Sequence, residues 1–284
     1  MCTKEINKFS ILILSLIFSQ TIYAECNAKL GDVKHLYDDF ENYDSEQHSD
    51  ARKRLGITVL DTSDCHPLHI ILTTENQSQL KGQYQIVPYQ IRSNIQQIVS
   101  SSMTRLNLVN SYAEIELFIR KGTPVKAGMY SDRLKLKLYN ENNQLLDNQE
   151  FEIEETISPK TSLSMLGYNS SVSEINLGEL VSGKRYNMLP TLKVVTNSDI
   201  EMHITSENHG RLVHDIYKNK YSINYFLYLD GEWMNLNQEK IKVFSYQNRT
   251  KFLLKLSVRL ADFTRQAAGE YSDTIRFQIS PLNY

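Results

Sequence analysis

Ala127-Gly128-Met129-Tyr130-Ser131-Asp132-Arg133-Leu134 returns later in the chain as Ala268-Gly269-Glu270-Tyr271-Ser272-Asp273-Thr274-Ile275. Each copy runs straight into an alternating stretch. Leu134, Leu136 and Leu138 sit between Arg133, Lys135 and Lys137; Ile275, Phe277 and Ile279 sit between Thr274, Arg276 and Gln278. A second pair of segments keeps the same order: Thr73-Thr74-Glu75-Asn76, followed by Leu80, returns as Thr205-Ser206-Glu207-Asn208, followed by Leu212. Two matched pairs in one order mean two copies of a unit of about 130 residues, an ordinary domain size. Period-two patterning, with one face apolar and one polar, is the mark of a half-buried antiparallel strand. Ile115 and Leu117 alternating with Glu114 and Glu116, and Leu254, Leu256 and Val258 alternating with Lys255, Ser257 and Arg259, repeat it. Tyr225 to Leu229 ends on Asp230-Gly231, a hairpin signal. Many short strands separated by turn signals read as an all-β sandwich.

Residues 1–24 read as a secretory signal peptide. Lys4 and Lys8 form a basic start, Phe9 to Phe18 is apolar apart from Ser10 and Ser15, and Ala24 is a small residue at the cleavage point. The apolar run is too short for a spanning helix, and Glu25 before Cys26 does not fit a lipidation signal. Removal of the signal takes Cys2 with it and leaves Cys26 and Cys65. In an oxidising compartment the simplest reading is one disulfide. It would close a loop of about 40 residues and contribute ~4 kcal/mol by chain entropy. A metal site using His66 and His69 beside Cys65 is the alternative, but it lacks a second cysteine pair and ordinary zinc spacing.

The net charge of −2 supplies no basic field for nucleic acid. Seventeen tyrosines against one tryptophan suit a secreted β-protein, because tyrosine fits strands and half-exposed surfaces. Asp50–Leu55 and Ser93–Ser102 are expected to form a helical turn or two, and the polar stretch Asp38–Asp50 a solvated loop. Glu150 to Glu154 alternates as a strand before Ser158-Pro159-Lys160 breaks it. This sets the expected boundaries: 25–157 for the first domain and 158–284 for the second, with Phe151 and Ile153 on the last strand of the first. An acidic linker without a sheet partner is the other reading of that stretch.

The repeated A-G-x-Y-S-D-x-[LI] before an alternating strand resembles the end of a spore-coat-protein-U-type domain, the pilin domain of Csu-type (archaic) chaperone–usher pili. Gly269, Tyr271 and Asp273 match its closing Gly-x-Tyr-x-Asp turn, and Gly128, Tyr130 and Asp132 repeat it. Ile175 to Leu180, Ser206 to Leu212 and Tyr225 to Gly231 resemble other parts of the family. The second half is covered almost throughout and the first half more weakly. One departure is that Asn197 stands where the repeat would place Cys65. Apart from the family, glycine in that turn permits a positive φ, and a short carboxylate accepts hydrogen bonds from nearby backbone N–H groups. Both aspartates therefore read as structural.

The resemblance implies tandem immunoglobulin-like sandwiches, the second lacking its last strand. Ile275, Phe277 and Ile279 would line the open groove, which a donor strand would fill. It further implies a periplasmic chaperone, an outer-membrane usher and a neighbouring pilin as partners, and export through the periplasm to the cell surface. With only Glu25 between the expected cleavage point and Cys26, the chain has no strand to donate, which places it at the pilus tip. The first domain would then contact a host or abiotic surface, in attachment and biofilm formation. Ile98, Val99, Met103, Leu106, Leu108 and Val109 would form either an adhesive patch or core. Two other readings remain open: a periplasmic pilus chaperone, and a free-standing secreted protein that binds carbohydrate or a surface. No cofactor or metal is implied. No Gly-x-Ser-x-Gly, phosphate loop or His-Glu-x-x-His is present to support an enzyme.

Overall fold

The computed structural model describes residues 26–46, 49–63, 65, 67–93, 103–168, 170–218 and 220–282, and the backbone alone of 96–100. The expected signal peptide, His66 and the side chains of Ile98 and Val99 lie outside the described residues. Among the described residues the chain is all-β and every strand pairing is antiparallel. The first eleven strands are β1 (Lys29–Asp38), β2 (Ala51–Leu60), β3 (His69–Thr74), β4 (Gln79–Gly82), β5 (Ile86–Pro88), β6 (Gln90–Arg92), β7 (Gln96–Ser100), β8 (Met103–Asn107), β9 (Tyr112–Ile119), β10 (Gly128–Tyr139) and β11 (Leu145–Ile157). They form a sheet β1-β2-β9-β6 and a sheet β5-β4-β10-β3-β8-β7, with β11 added on β10. Alternate residues of these strands meet in one core. Leu55 and Ile57 come from β2, Ile115 and Leu117 from β9, Ile70 and Leu72 from β3, and Leu134, Leu136 and Leu138 from β10.

Twelve strands follow. They are β12 (Thr161–Met165), β13 (Arg185–Tyr186), β14 (Leu192–Thr196), β15 (Ile200–Ser206), β16 (Arg211–His214), β17 (Ser222–Leu229), β18 (Glu232–Met234), β19 (Lys240–Phe244), β20 (Lys251–Leu254), β21 (Leu256–Leu260), β22 (Tyr271–Ser272) and β23 (Ile275–Pro281). They form sheets β12-β14-β20, β19-β15-β23 and β13-β21-β17-β16-β22, with β18 on β17. A second, separate core of Leu192, Met202, Ile204, Leu227, Leu229 and Leu260 lies between them.

Three sequence expectations need correction. Asp50–Leu55 is not helical, because β2 begins at Ala51 and pairs with both β1 and β9. Ser93–Ser102 holds the strand β7, paired with β8, where a helical turn was expected. The polar stretch after Asp38 is not simply solvated, since Phe40 and Tyr43 are fully buried in it. The Tyr43 hydroxyl donates to the carbonyls of Arg120 and Thr123, and burial pushes its pKa up to about 12. Of the apolar residues around β8, Leu106 is core while Met103 and Val109 are exposed.

The Glu150–Glu154 stretch is a strand in register with β10 from Gly128–Ile157 to Tyr139–Leu145, and Ile153 and Ile157 enter the core. Glu155, between them on the same face, is buried as well and pairs with Lys53 of β2, only 3% exposed. Lys53 also bonds Asp38 at 2.7 Å. Opposite charges removed from water together tolerate burial; either one alone does not. Lys53 keeps Asp38 as a partner, so Glu155→Ala is expected to cost about 1–3 kcal/mol in urea unfolding. The double change Lys53→Met with Glu155→Leu should recover most of that loss. Equal losses in the two proteins would show that the ion pair is not what makes the single change costly.

Candidate functional site

The two copies of the repeated motif build the same hydrogen-bond cage. In the first, Asp132 is 2% exposed. Its Oδ1 accepts from the backbone N–H of Asn76 at 3.0 Å and of Arg133 at 2.8 Å, and its Oδ2 from the Tyr89 hydroxyl at 2.8 Å. In the second, Asp273 Oδ1 accepts from the N–H of Asn208 at 2.9 Å and of Thr274 at 2.8 Å. Its Oδ2 accepts from the Tyr225 hydroxyl at 2.5 Å and from Ser206 Oγ at 2.6 Å. The corner that supplies these donors is the second repeated segment. Thr74 Oγ1 accepts from Ser78 N, as Ser206 Oγ does from Gly210 N, both at 2.7 Å. Tyr89 and Tyr225 follow their corners in the same way, each donating its N–H to the turn, at Ser78 and Gly210.

The motif tyrosines also match. Tyr130 donates its hydroxyl to the Lys126 carbonyl at 2.6 Å and Tyr271 to Ala267 at 2.9 Å. Gly128 and Gly269 have φ of 150° and 148°. At Gly269 a Cβ would lie 2.5 Å from the His214 ring, so glycine is required on two grounds.

The cage sets the register of the strand behind it. Leu134, Leu136 and Leu138 of β10 face Thr74, Leu72 and Ile70 of β3; Ile275, Phe277 and Ile279 of β23 face Ser206, Ile204 and Met202 of β15. From there the halves diverge. The second edge of β10 is covered by β11, and its three leucines are at most 1% exposed. Among the described residues β23 pairs only with β15, so its second edge is open. Ile275, Phe277 and Ile279 are half-buried against the second core. Strand β12 runs beside that edge without pairing to it, and contributes half-buried Leu163 and Met165. The result is an apolar trough with unpaired backbone groups along one wall, a template for an added strand.

Cys26 and Cys65 form a disulfide, with Cα atoms 5.2 Å apart. His69, the histidine proposed for the alternative metal site, is buried and stacks on Tyr139; desolvation, then the Arg105 charge, lowers its pKa. Among the described residues no group of three His, Cys, Asp or Glu side chains is placed to hold a metal. Asn197, at the repeat position of Cys65, closes the junction between the halves. Its Oδ1 accepts from Lys160 N at 2.7 Å, its Nδ2 donates to the Ser158 carbonyl, and its own carbonyl accepts from Ala127 N at 2.7 Å. Lys126 and Asp199 add an ion pair at 3.1 Å.

Tyr89 and Tyr225 were not singled out as partners of the aspartates. Their similar distance behind the Thr-x-Glu-Asn corners was the available signal. The Lys53–Glu155 pair left no trace in the sequence pattern.

No family model matches the chain, and no curated protein matches it. Among solved structures it is similar to a chain of the CsuC–CsuE chaperone–tip adhesion subunit pre-assembly complex from archaic chaperone–usher Csu pili of Acinetobacter baumannii. That match has 12% identity, covers 82% of this chain and 91% of that one, and has a TM-score of 0.40. A mutant of CfaE, the CFA/I adhesin of enterotoxigenic E. coli, matches at 11% identity over 83% of this chain and 74% of that one, with a TM-score of 0.37. Self-complemented MyfA, the major subunit of Myf fimbriae from Yersinia enterocolitica, matches 46% of this chain and 96% of its own at 12% identity, with a TM-score of 0.33.

Burial, and then the adjacent aspartate, raises the pKa of Tyr89 and Tyr225 well above the ordinary value of 10.0. A raised folded-state pKa contributes stability that is fully present below the unfolded value and is lost as pH rises through the folded one. Urea midpoints should therefore fall with pH above about 10. The decline should be shallower in Tyr89→Phe and Tyr225→Phe. At neutral pH each of these variants should lose about 1.5–3 kcal/mol, the worth of a hydrogen bond to a charged group. Variants as stable as the parent at pH 7 would refute the cage as a stability element.

Proposed function

We propose that this chain is a secreted structural and adhesive subunit of a chaperone–usher pilus, placed at the tip and anchored by donation of a strand from a neighbouring pilin. One observation carries this reading. The second edge of β10 is covered by β11, whereas the same edge of β23, set in the same register by the same cage, is open and lined by half-buried Ile275, Phe277 and Ile279. An added strand would restore in the second half what β11 supplies in the first. A periplasmic chaperone would cover the trough during export, an outer-membrane usher would oversee the exchange, and the next pilin would then take the chaperone's place. The reading divides the mature chain into an adhesive domain, 25–157, and an anchoring pilin domain, 158–284, of the spore-coat-protein-U type.

Placement at the tip is supported by the closure of the first half on itself. Strand β11 fills its edge in cis, Ala28 is buried in its core, and Cys26 is tied to Cys65. The residues from Cys26 onward are therefore committed to their own half and cannot reach another subunit. The role is non-enzymatic, in attachment and biofilm formation on a host or abiotic surface.

The test is a thermal melt of the full chain, alone and with a twelve-residue peptide of alternating apolar side chains. Completing the burial of three large apolar side chains is worth several kcal/mol, which corresponds to a rise of about 10 °C or more in the transition of the second half. A scrambled peptide should give no rise. A single high, cooperative transition indifferent to every donor would mean a finished sandwich, and a free-standing secreted binding protein would replace the pilus subunit.

A further inference from the structure

Away from the trough, the outer face of the β13-β21-β17-β18 strands carries a pattern that the folding of the sheet does not require. Strand β17 turns Ile223, Tyr225 and Leu227 into the core, and so presents Asn224, Phe226 and Tyr228 outward. Trp233 of β18 lies opposite Tyr228, is 52% exposed, and meets Phe226 edge-on at 6.1 Å. On the other side Arg259 of β21 pairs with Phe226 and places its guanidinium 5.0 Å from that ring. Arg185 of β13 is the cross-strand partner of Arg259 and lies 4.2 Å over the Tyr228 ring.

Two arginines directly opposite each other destabilise a sheet. Among the described residues neither has a carboxylate within ion-pair distance, unlike Arg52, Arg54 and Arg133. The aromatic faces hold the two guanidiniums in place but leave their positive charge and N–H edges directed at solvent. Beside this face is a cleft of about 380 Å³, lined by Phe226, Trp233, Asn224, Arg211, Asn235 and Asn237. Its size is that of a small-ligand site. It combines an exposed indole, on which the C–H face of a pyranose can stack, with amides suited to hydroxyl groups.

We propose that this face binds an acidic oligosaccharide. The rings of Trp233 and Phe226 would carry the sugar, and Arg185 and Arg259 would pair with its carboxylate or sulfate. Guanidinium geometry matches both anions. The chain's net charge of −2 argues against general polyanion binding and for a local site. The site does not depend on strand acceptance, because it uses the outward face of a different sheet.

Trp233 is the chain's single tryptophan and therefore reports on the site directly. The experiment titrates the full chain, by intrinsic fluorescence, with trigalacturonate, a heparin tetrasaccharide, neutral maltotriose and sodium sulfate. The expected result is a saturable change with at least one of the two acidic sugars, and the stronger of them identifies carboxylate or sulfate as the recognised group. Maltotriose and sulfate ion should each bind at least about tenfold more weakly. The exposed double change Arg185→Gln with Arg259→Gln should weaken the acidic sugar by about tenfold or more, the worth of one hydrogen bond to a charged group, with the melting temperature preserved. The proposal is overturned if neither acidic sugar shifts the fluorescence, if maltotriose or sulfate alone binds as tightly, or if the double variant binds unchanged.

Discussion

A carboxylate at the corner of each half, buried in the first and half-buried in the second, fixes what lies downstream of it. Asp132 and Asp273 each gather two backbone N–H groups and a tyrosine hydroxyl, drawn from three separate segments. A carboxylate out of water needs such donors, and when they are supplied it holds the segments together more firmly than neutral hydrogen bonds do. Here it ties a turn to the strand that carries the alternating apolar residues, β10 in the first half and β23 in the second. Side chains alternate along a strand, so a slip of one residue would turn Leu134, Leu136 and Leu138, or Ile275, Phe277 and Ile279, to the wrong face. The cage is thus the point at which a short sequence motif becomes a core.

The same register leads to opposite outcomes in the two halves because of what lies beyond it. In the first, β11 returns along β10 and carries Glu155 into the interior to meet Lys53. That glutamate suits its own half and no other. In the second half the corresponding trough is lined by Leu163, Met165, Ile275, Phe277 and Ile279, where an inward carboxylate would lack a partner. The ion pair thus ties β11 to the half it closes, whereas the side chains named beside the open edge of β23 are apolar.

The cage motif, the alternation behind it and the pairing of Cys26 with Cys65 were legible because each rests on residues close in sequence or few in number. The misread segments share another cause. Ala51-Arg52-Lys53-Arg54-Leu55 is rich in helix formers, but the tertiary demand for Lys53 at Glu155 and for Leu55 in the core makes it a strand. Asp38–Asp50 is polar by composition, and only its packing shows that Phe40 and Tyr43 anchor it. The open edge of β23 was reached through a resemblance; the residues themselves cannot reveal it, because Ile275, Phe277 and Ile279 would look the same on a covered strand. The aromatic and arginine face on β17 was written in plain period-two code, but its meaning depends on Arg185 and Arg259, distant in sequence, meeting across β13 and β21.

Divergence between the repeats is most informative at Asn197. The position that makes a disulfide in the first half became, in the second, the clamp on the junction between halves. Its place in the sheet gives that change a mechanical sense. Strand β15, the sole partner of β23 among the described residues, begins three residues after Asn197, and Asp199 accepts a hydrogen bond from Leu282 at the far end of β23. On the other side of the junction, Lys126 and Ala127 immediately precede β10. Tension on a strand seated against β23 would pass through β15 to Asn197 and Asp199, and from there to Ala127 and Lys126 and the central strand of the first core. The crossing between the halves is made by the Ala127–Asn197 hydrogen bond and the Lys126–Asp199 ion pair, among residues that flank β10 and β15, and it runs in parallel with the short covalent link from Ser158 to Lys160. The same repeat position thus serves as a covalent tie within the first half, at Cys65, and as an amide that bonds across to Ala127 in the second, at Asn197.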